Sequence, residues 1–167
     1  MYKLKWWEQL NKDLDNSKLR TYVKFKTDFS QENYVYSVKC FEKRKLFTQL
    51  RISSHGLHIE TGRYSKPRKT PVSERICSFC NDNKIEDEYH VVMACSLYQT
   101  QCSSLFENLM YTTNFSEMND SDKFNFIMSY NYISGGRPFQ CIVPHCPVSG
   151  NAGCIHIISS TSCRQSE

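Results

Sequence analysis

The sequence predicts a mainly α fold, with short helices around a small CCHC zinc-binding loop and a disordered C-terminal tail. Three observations carry that reading. Apolar residues recur at helical spacing over Tyr34 to His55 and again over Ser96 to Met110. Between these stretches, Cys77, Cys80, His90 and Cys95 form the pattern C-x2-C-x9-H-x4-C. After Tyr130 the composition turns to Gly135, Gly136, Pro138, Pro144, Pro147, Gly150 and Gly153, which break every period. The chain therefore divides into a basic helical region (1–60), a basic Pro/Gly linker (61–75), the motif with its following helices (76–130) and the tail (131–167).

Tyr2 to Asp15 places Trp7, Leu10 and Leu14 at helical spacing among Lys3, Lys5 and Lys12, a short amphipathic helix whose Trp6 and Trp7 pack on a neighbour. Asp15, Asn16 and Ser17 offer a stop and a new N-cap. From Arg20 to Phe29, alternation of Val23 and Phe25 with Tyr22, Lys24 and Lys26 suggests a strand, while Ser17 as a cap suggests a helix, the reading adopted. The segment suits either a nucleic-acid track or a core built on Val23, Phe25 and Phe29. Tyr34 to His55 is the strongest helical region. Leu46, Phe47 and Leu50 share one face, with Arg44, Lys45, Gln49 and Arg51 turned away. Phe41 and Ile52 lie off that face, so the helix is buried on two sides or broken near Cys40, itself a packing residue. Gly56 is the natural residue to follow its end, and His55 and His58 read as satisfied or exposed. Tyr98, Cys102, Leu105 and Leu109 stripe the next helix, and Ser121 can cap a last one carrying Phe124, Ile127 and Met128.

Two thiols separated by two residues can point into one tight turn and grip one ion. A His and a Cys five positions apart can close the tetrahedron from the other side. That is the ligand set of a structural zinc site, with no position left for water. Phe79, between the first two ligands, and Tyr89, before the third, can stack on bases, worth roughly 1–3 kcal/mol each. Phe79 can equally cover the metal as part of a tiny core. One of Glu86, Asp87 and Glu88 can accept the free ring N–H of His90, and at least two of the three are expected to be exposed. Cys141, His145, Cys146, Cys154 and His156 match no trusted ligand spacing and are not read as a second site.

Charge is unevenly placed. Residues up to Arg75 carry a formal +9 and the remainder −5, within a net +4. A basic half suits phosphates. Its candidate contacts are Lys43, Arg44, Lys45 and Arg51 on the helix, and Arg63, Lys66, Arg68, Lys69 and Arg75 on the linker, where Gly62, Pro67 and Pro71 prevent regular structure. Each phosphate neutralised would release counterions and steepen salt dependence; a merely solvated linker is the alternative. No apolar leader follows Met1 and no long apolar run is present, so the expectation is an intracellular protein, nuclear or cytoplasmic, without a membrane span. In that setting the clustered thiols, three of nine cysteines, are ligands rather than disulfides.

The runs LRISSHGLHIETGRY, SKPRKTPVSER, ICSFC and IEDEYHVVMACSLY together resemble the C-terminal region of non-LTR retrotransposon reverse transcriptases. In that family a helix carrying Leu-Arg and a following His, here Leu50, Arg51 and His55, precedes a CCHC zinc motif. The family's acidic run matches Glu86, Asp87 and Glu88, and its C-x-x-Y matches Cys95 and Tyr98. The likeness is clearest from about Leu46 to Tyr98 and fades on both sides. No Ala-Asp-Asp strand and no endonuclease acids are visible, so the resemblance implies a tail without its enzyme. It implies a zinc-dependent module that holds RNA or DNA without catalysis of its own, with a polymerase core as a partner acting in trans. Two other readings stand beside it: a protein-interaction zinc module using the acidic run, and an inert retroelement remnant.

Overall fold

The computed structural model describes residues 2–11, 18–110 and 114–129; the tail, Leu14 and the side chain of Leu105 lie outside what is described. Those residues form helices without named strands, joined by one isolated antiparallel bridge between Ile76 and Ile85. Helix α1 (Tyr2–Asn11) buries Leu10 and sets Trp6 edge-on to Phe29, with ring centroids 5.5 Å apart. Helix α2 (Tyr22–Phe25) is a single turn, so the helical reading of that segment holds and the strand does not form. Phe25 packs against the core, but Phe29 is exposed.

The long helix is broken where Cys40 stands. Helix α3 (Asn33–Ser37) and helix α4 (Phe41–Arg51) are separated by extended backbone, and Arg44 Nη1 donates to the Val38 carbonyl at 3.0 Å, satisfying a group freed by the break. Cys40 is disulfide-bonded rather than a packing thiol, while Cys77, Cys80, Cys95 and Cys102 are free. Gly56 does not follow the end of α4. Ser53 does, with φ 53°. A left-handed serine costs about 1 kcal/mol or more, but here it turns a buried hydroxyl toward Glu88 Oε1 at 2.5 Å.

The buried seam of α4 is Lys43, Phe47, Leu50 and Arg51, a face rotated from the expected one. The cause is Arg51. Its guanidinium carbon lies 4.4, 4.9, 5.5 and 5.8 Å from the ring centroids of Phe25, Tyr34, Phe47 and Tyr22, and its Nη2 donates to Glu32 Oε2 at 2.7 Å. Rings and carboxylate together make burial of a cation tolerable. Lys26 Nζ and the Tyr22 hydroxyl meet the other Glu32 oxygen at 3.2 and 2.9 Å. Burial and the bond to Glu32 both push the Tyr22 phenol well above its usual value.

The segment 61–75, expected to be irregular, is irregular from 65 to 71 and carries short turns on either side of that stretch. Helix α5 (His58–Thr61) runs into a 3-10 turn at Gly62–Tyr64, and a second 3-10 turn occupies Val72–Glu74. Beyond the bridge, a wide π turn (His90–Ala94) and a 3-10 turn (Ser96–Tyr98) lead into helix α6 (Gln99–Met110). Helix α7 (Asp120–Ser129) is capped by Asn119, whose Oδ1 accepts the Asp122 N–H at 2.9 Å; Ser121 lies inside the helix. It packs on α2 and on the π turn, so residues from both halves of the chain meet in one core with Val91, Phe115 and Met128 fully buried.

Candidate metal centre and basic surface

Local geometry brings the four expected ligands together from two short elements. The bridge pairs the Cys77 N–H with the Lys84 carbonyl and the Glu86 N–H with the Arg75 carbonyl, each at 2.8 Å. This closes a loop in which Asn83 takes a left-handed φ of 51° and Cys77 and Cys80 point inward. The other two ligands use the π turn. In an α-helix a residue five positions on would lie about 140° round the axis. Here the Cys95 N–H bonds the His90 carbonyl at 2.7 Å, and the wider turn returns Cys95 to the side of His90. Asp87 Oδ1 accepts the His90 backbone N–H at 2.7 Å, in the manner of an N-cap, and fixes the start of the turn.

The ligand atoms of Cys77, Cys80, His90 and Cys95 all lie within 4.8 Å of one another, and all four residues are buried. Cys80 Sγ and His90 Nε2 are 3.2 Å apart. Tetrahedral thiolates at zinc-like bond lengths stand about 3.8 Å from each other, so a small contraction would seat an ion. Burial pushes the thiol of Cys77 up and that of Cys95 up to about 12, and it pulls the His90 imidazole below its usual value. Burial keeps the thiols of Cys77 and Cys95 protonated until a cation draws the proton off, and it keeps the His90 ring in the neutral form that can ligate, which is the chemistry of a metal site. The cluster could hold a metal ion. His90 Nδ1 is buried and without a hydrogen-bond partner, so the carboxylate expected to orient the ring does not reach it; Asp87 serves the backbone instead.

The acidic run does different work from that expected. Glu86 and Glu88 are buried and Asp87 is half-buried. Glu88 receives Arg20 Nη2 at 2.9 Å, His55 Nε2 at 2.8 Å and the Ser53 hydroxyl. Burial alone would raise its pKa, but His55, Arg20 and Ser53 hold it at about 2. The Leu57 N–H donates to His55 Nδ1, which leaves the ring proton on Nε2 facing the carboxylate. Arg20 also bonds Glu60, and Glu86 Oε2 accepts the His58 N–H at 3.0 Å. These contacts fasten the metal segment to the helical half. Sequence reasoning missed Arg20 and Ser53 because their partners lie far along the chain.

The eleven candidate nucleic-acid contacts fall into three groups. Lys43, Arg51 and Arg75 are buried, and the guanidinium groups of Arg51 and Arg75 are taken up by internal partners. Arg51 is held as described, and Arg75 donates from Nε to the Thr70 carbonyl at 2.9 Å and from Nη1 to the Ile59 carbonyl at 2.7 Å. Arg44, Arg63, Phe79 and Tyr89 are half-buried. Arg63 pairs with Glu60 at 3.4 Å, Phe79 packs against the core, and Tyr89 meets Phe124 edge-on at 5.3 Å. Lys45, Lys66, Arg68 and Lys69 are exposed. Lys45 has Glu42 at 3.9 Å, whereas Lys66, Arg68 and Lys69 form no ion pair among the described residues. The last three share one loop.

No family model, no curated protein and no solved structure matches the chain. Among the described residues, no helix is long and apolar enough to cross a membrane. What the fold and the site define is a helical protein with a buried three-cysteine, one-histidine cluster and a cationic loop that precedes it in the chain.

Proposed function

We propose that the chain is a zinc-ordered nucleic-acid-binding module without catalysis of its own, akin to the C-terminal region of a non-LTR retrotransposon reverse transcriptase. Zinc is the ion because three thiolates and one imidazole suit it and fill its four positions, leaving none for activated water. The observation that carries the reading is the loop with Lys66, Arg68 and Lys69. Three exposed cations, without carboxylate partners among the described residues, stand on a segment that leads to the first ligand, Cys77. Its far end is fastened by the buried Arg75. Phosphates supply the missing counter-charge.

The acidic run as a surface for a basic protein loses its support, since Glu86 and Glu88 are engaged by internal partners. The direct test titrates labelled single-stranded RNA and duplex DNA with zinc-loaded protein at several salt concentrations, beside Cys95→Ser. Binding that falls steeply with salt and fails in the variant is expected. A folded, zinc-loaded chain that binds neither would end the proposal.

A further inference from the structure

The cationic loop is built rather than slack. The Thr70 N–H bonds the Gly62 carbonyl at 2.9 Å and closes its neck. Arg75 Nε holds the Thr70 carbonyl from the inside, and a Cβ at Gly62 would stand 2.8 Å from that same nitrogen. Only a residue without a side chain lets the neck lie against Arg75. Within the loop Tyr64 is 65% exposed and makes no hydrogen bond or ring contact among the described residues. The other two rings considered for stacking are engaged: Phe79 packs on the core and Tyr89 on Phe124. An exposed tyrosine two residues from the first of three unpaired cations combines a stacking surface with phosphate contacts. Bases inside a duplex hide their faces, so a ring can use its face only on unpaired nucleotides.

Resting on the nucleic-acid reading above, we propose that Gly62 to Thr70 is a preformed clamp for single-stranded nucleic acid. Tyr64 stacks on one base, and Lys66, Arg68 and Lys69 hold the neighbouring phosphates. Arg75 is a positioning residue that keeps the loop in shape.

The test compares the full, zinc-loaded chain with Tyr64→Leu, Tyr64→Trp and a triple Lys66→Gln, Arg68→Gln, Lys69→Gln variant. The probes are a short labelled oligouridine, a duplex of the same length, and polyglutamate as competitor. Tyr64→Leu should weaken oligouridine binding about 5- to 150-fold, the range for loss of one stacked base, with its salt slope and the duplex affinity unchanged. Tyr64→Trp should retain binding. The triple variant should lower the salt slope on the single strand by about 2, at roughly 0.7 for each phosphate no longer neutralised. If Tyr64→Leu binds oligouridine like wild type while the triple variant does not, the clamp is wrong and the nucleic-acid reading survives. Equal competition by polyglutamate would reduce the loop to a generic anion site and overturn the clamp. Wild-type protein that binds neither nucleic acid would overturn both.

Discussion

Arg51 and Arg68 carry the same guanidinium into opposite surroundings. Arg51 is 1% exposed, enclosed by four rings and bonded to Glu32, while Arg68 stands exposed on a loop, with no paired carboxylate among the described residues. Arg20 and Arg75 side with Arg51, since Glu60 and Glu88 hold the first and backbone carbonyls hold the second. Lys66 and Lys69 side with Arg68. The basic half of the chain is thus two populations. One closes the interior, and the other faces solvent. A run of positive residues reports how many charges are present; which of them reach water depends on where the aromatic rings and carboxylates of other segments fall.

That division can be broken from either side. The largest effect should come from withdrawing the metal. A structural zinc contributes roughly 10–16 kcal/mol of apparent binding energy in small motifs, so a strong chelator should unfold residues 76–95, seen as loss of amide-exchange protection there. An unchanged exchange pattern would show that the ion pairs of Glu88 suffice to hold the segment. Next, Arg51→Ala should cost about 3–5 kcal/mol in urea unfolding, because it empties a fully buried site and strips the half-buried Glu32 of its closest cation. A cost below about 1 kcal/mol would place Arg51 with the surface cations after all.

Glu88→Gln should cost about 1.5–3 kcal/mol, the range for hydrogen bonds to a charged group, since Arg20, Ser53 and His55 all converge on that carboxylate. Gly62→Ala should follow at about 1–3 kcal/mol through overpacking against Arg75. It should also weaken single-strand binding while leaving the salt slope alone. Smallest of all, replacing Lys66, Arg68 and Lys69 with Gln should move stability by no more than about 0.5 kcal/mol and show only in binding. A large loss of stability there would mean the loop cations are structural.

Much of this was legible in the sequence. The four ligands stand out because short-range spacing is what a metal loop needs, and the structure brings them within one cluster. The helical periodicity read over Tyr34 to His55 and Ser96 to Met110 is realised in Phe41–Arg51 and Gln99–Met110, the first range being broken at Cys40 and ending before Ser53. What stayed hidden is long-range. Nothing near Arg51 announces that Tyr22, Phe25 and Tyr34 will fold over it, so a charged residue read as solvated is buried. Glu86 and Glu88 read as an acidic surface because their partners Arg20, Ser53, His55 and His58 arrive from the other half of the chain. The helix stop at Ser53 in place of Gly56 has the same origin: a left-handed serine is tolerated for the bond it makes to Glu88. The linker looked slack because Gly and Pro break periods, yet buried Arg75 ties its two ends together.

The measurement that bears most directly on the metal-ordered reading is the metal content of the purified, folded chain, by mass spectrometry under native conditions before and after chelation. One zinc per chain is expected, lost on chelation together with the exchange protection of residues 76–95, and absent from Cys95→Ser and His90→Ala. A chain that keeps its helical fold and exchange protection while holding no metal would contradict it. The cluster of Cys77, Cys80, His90 and Cys95 would then be a packed core of thiols and nothing more.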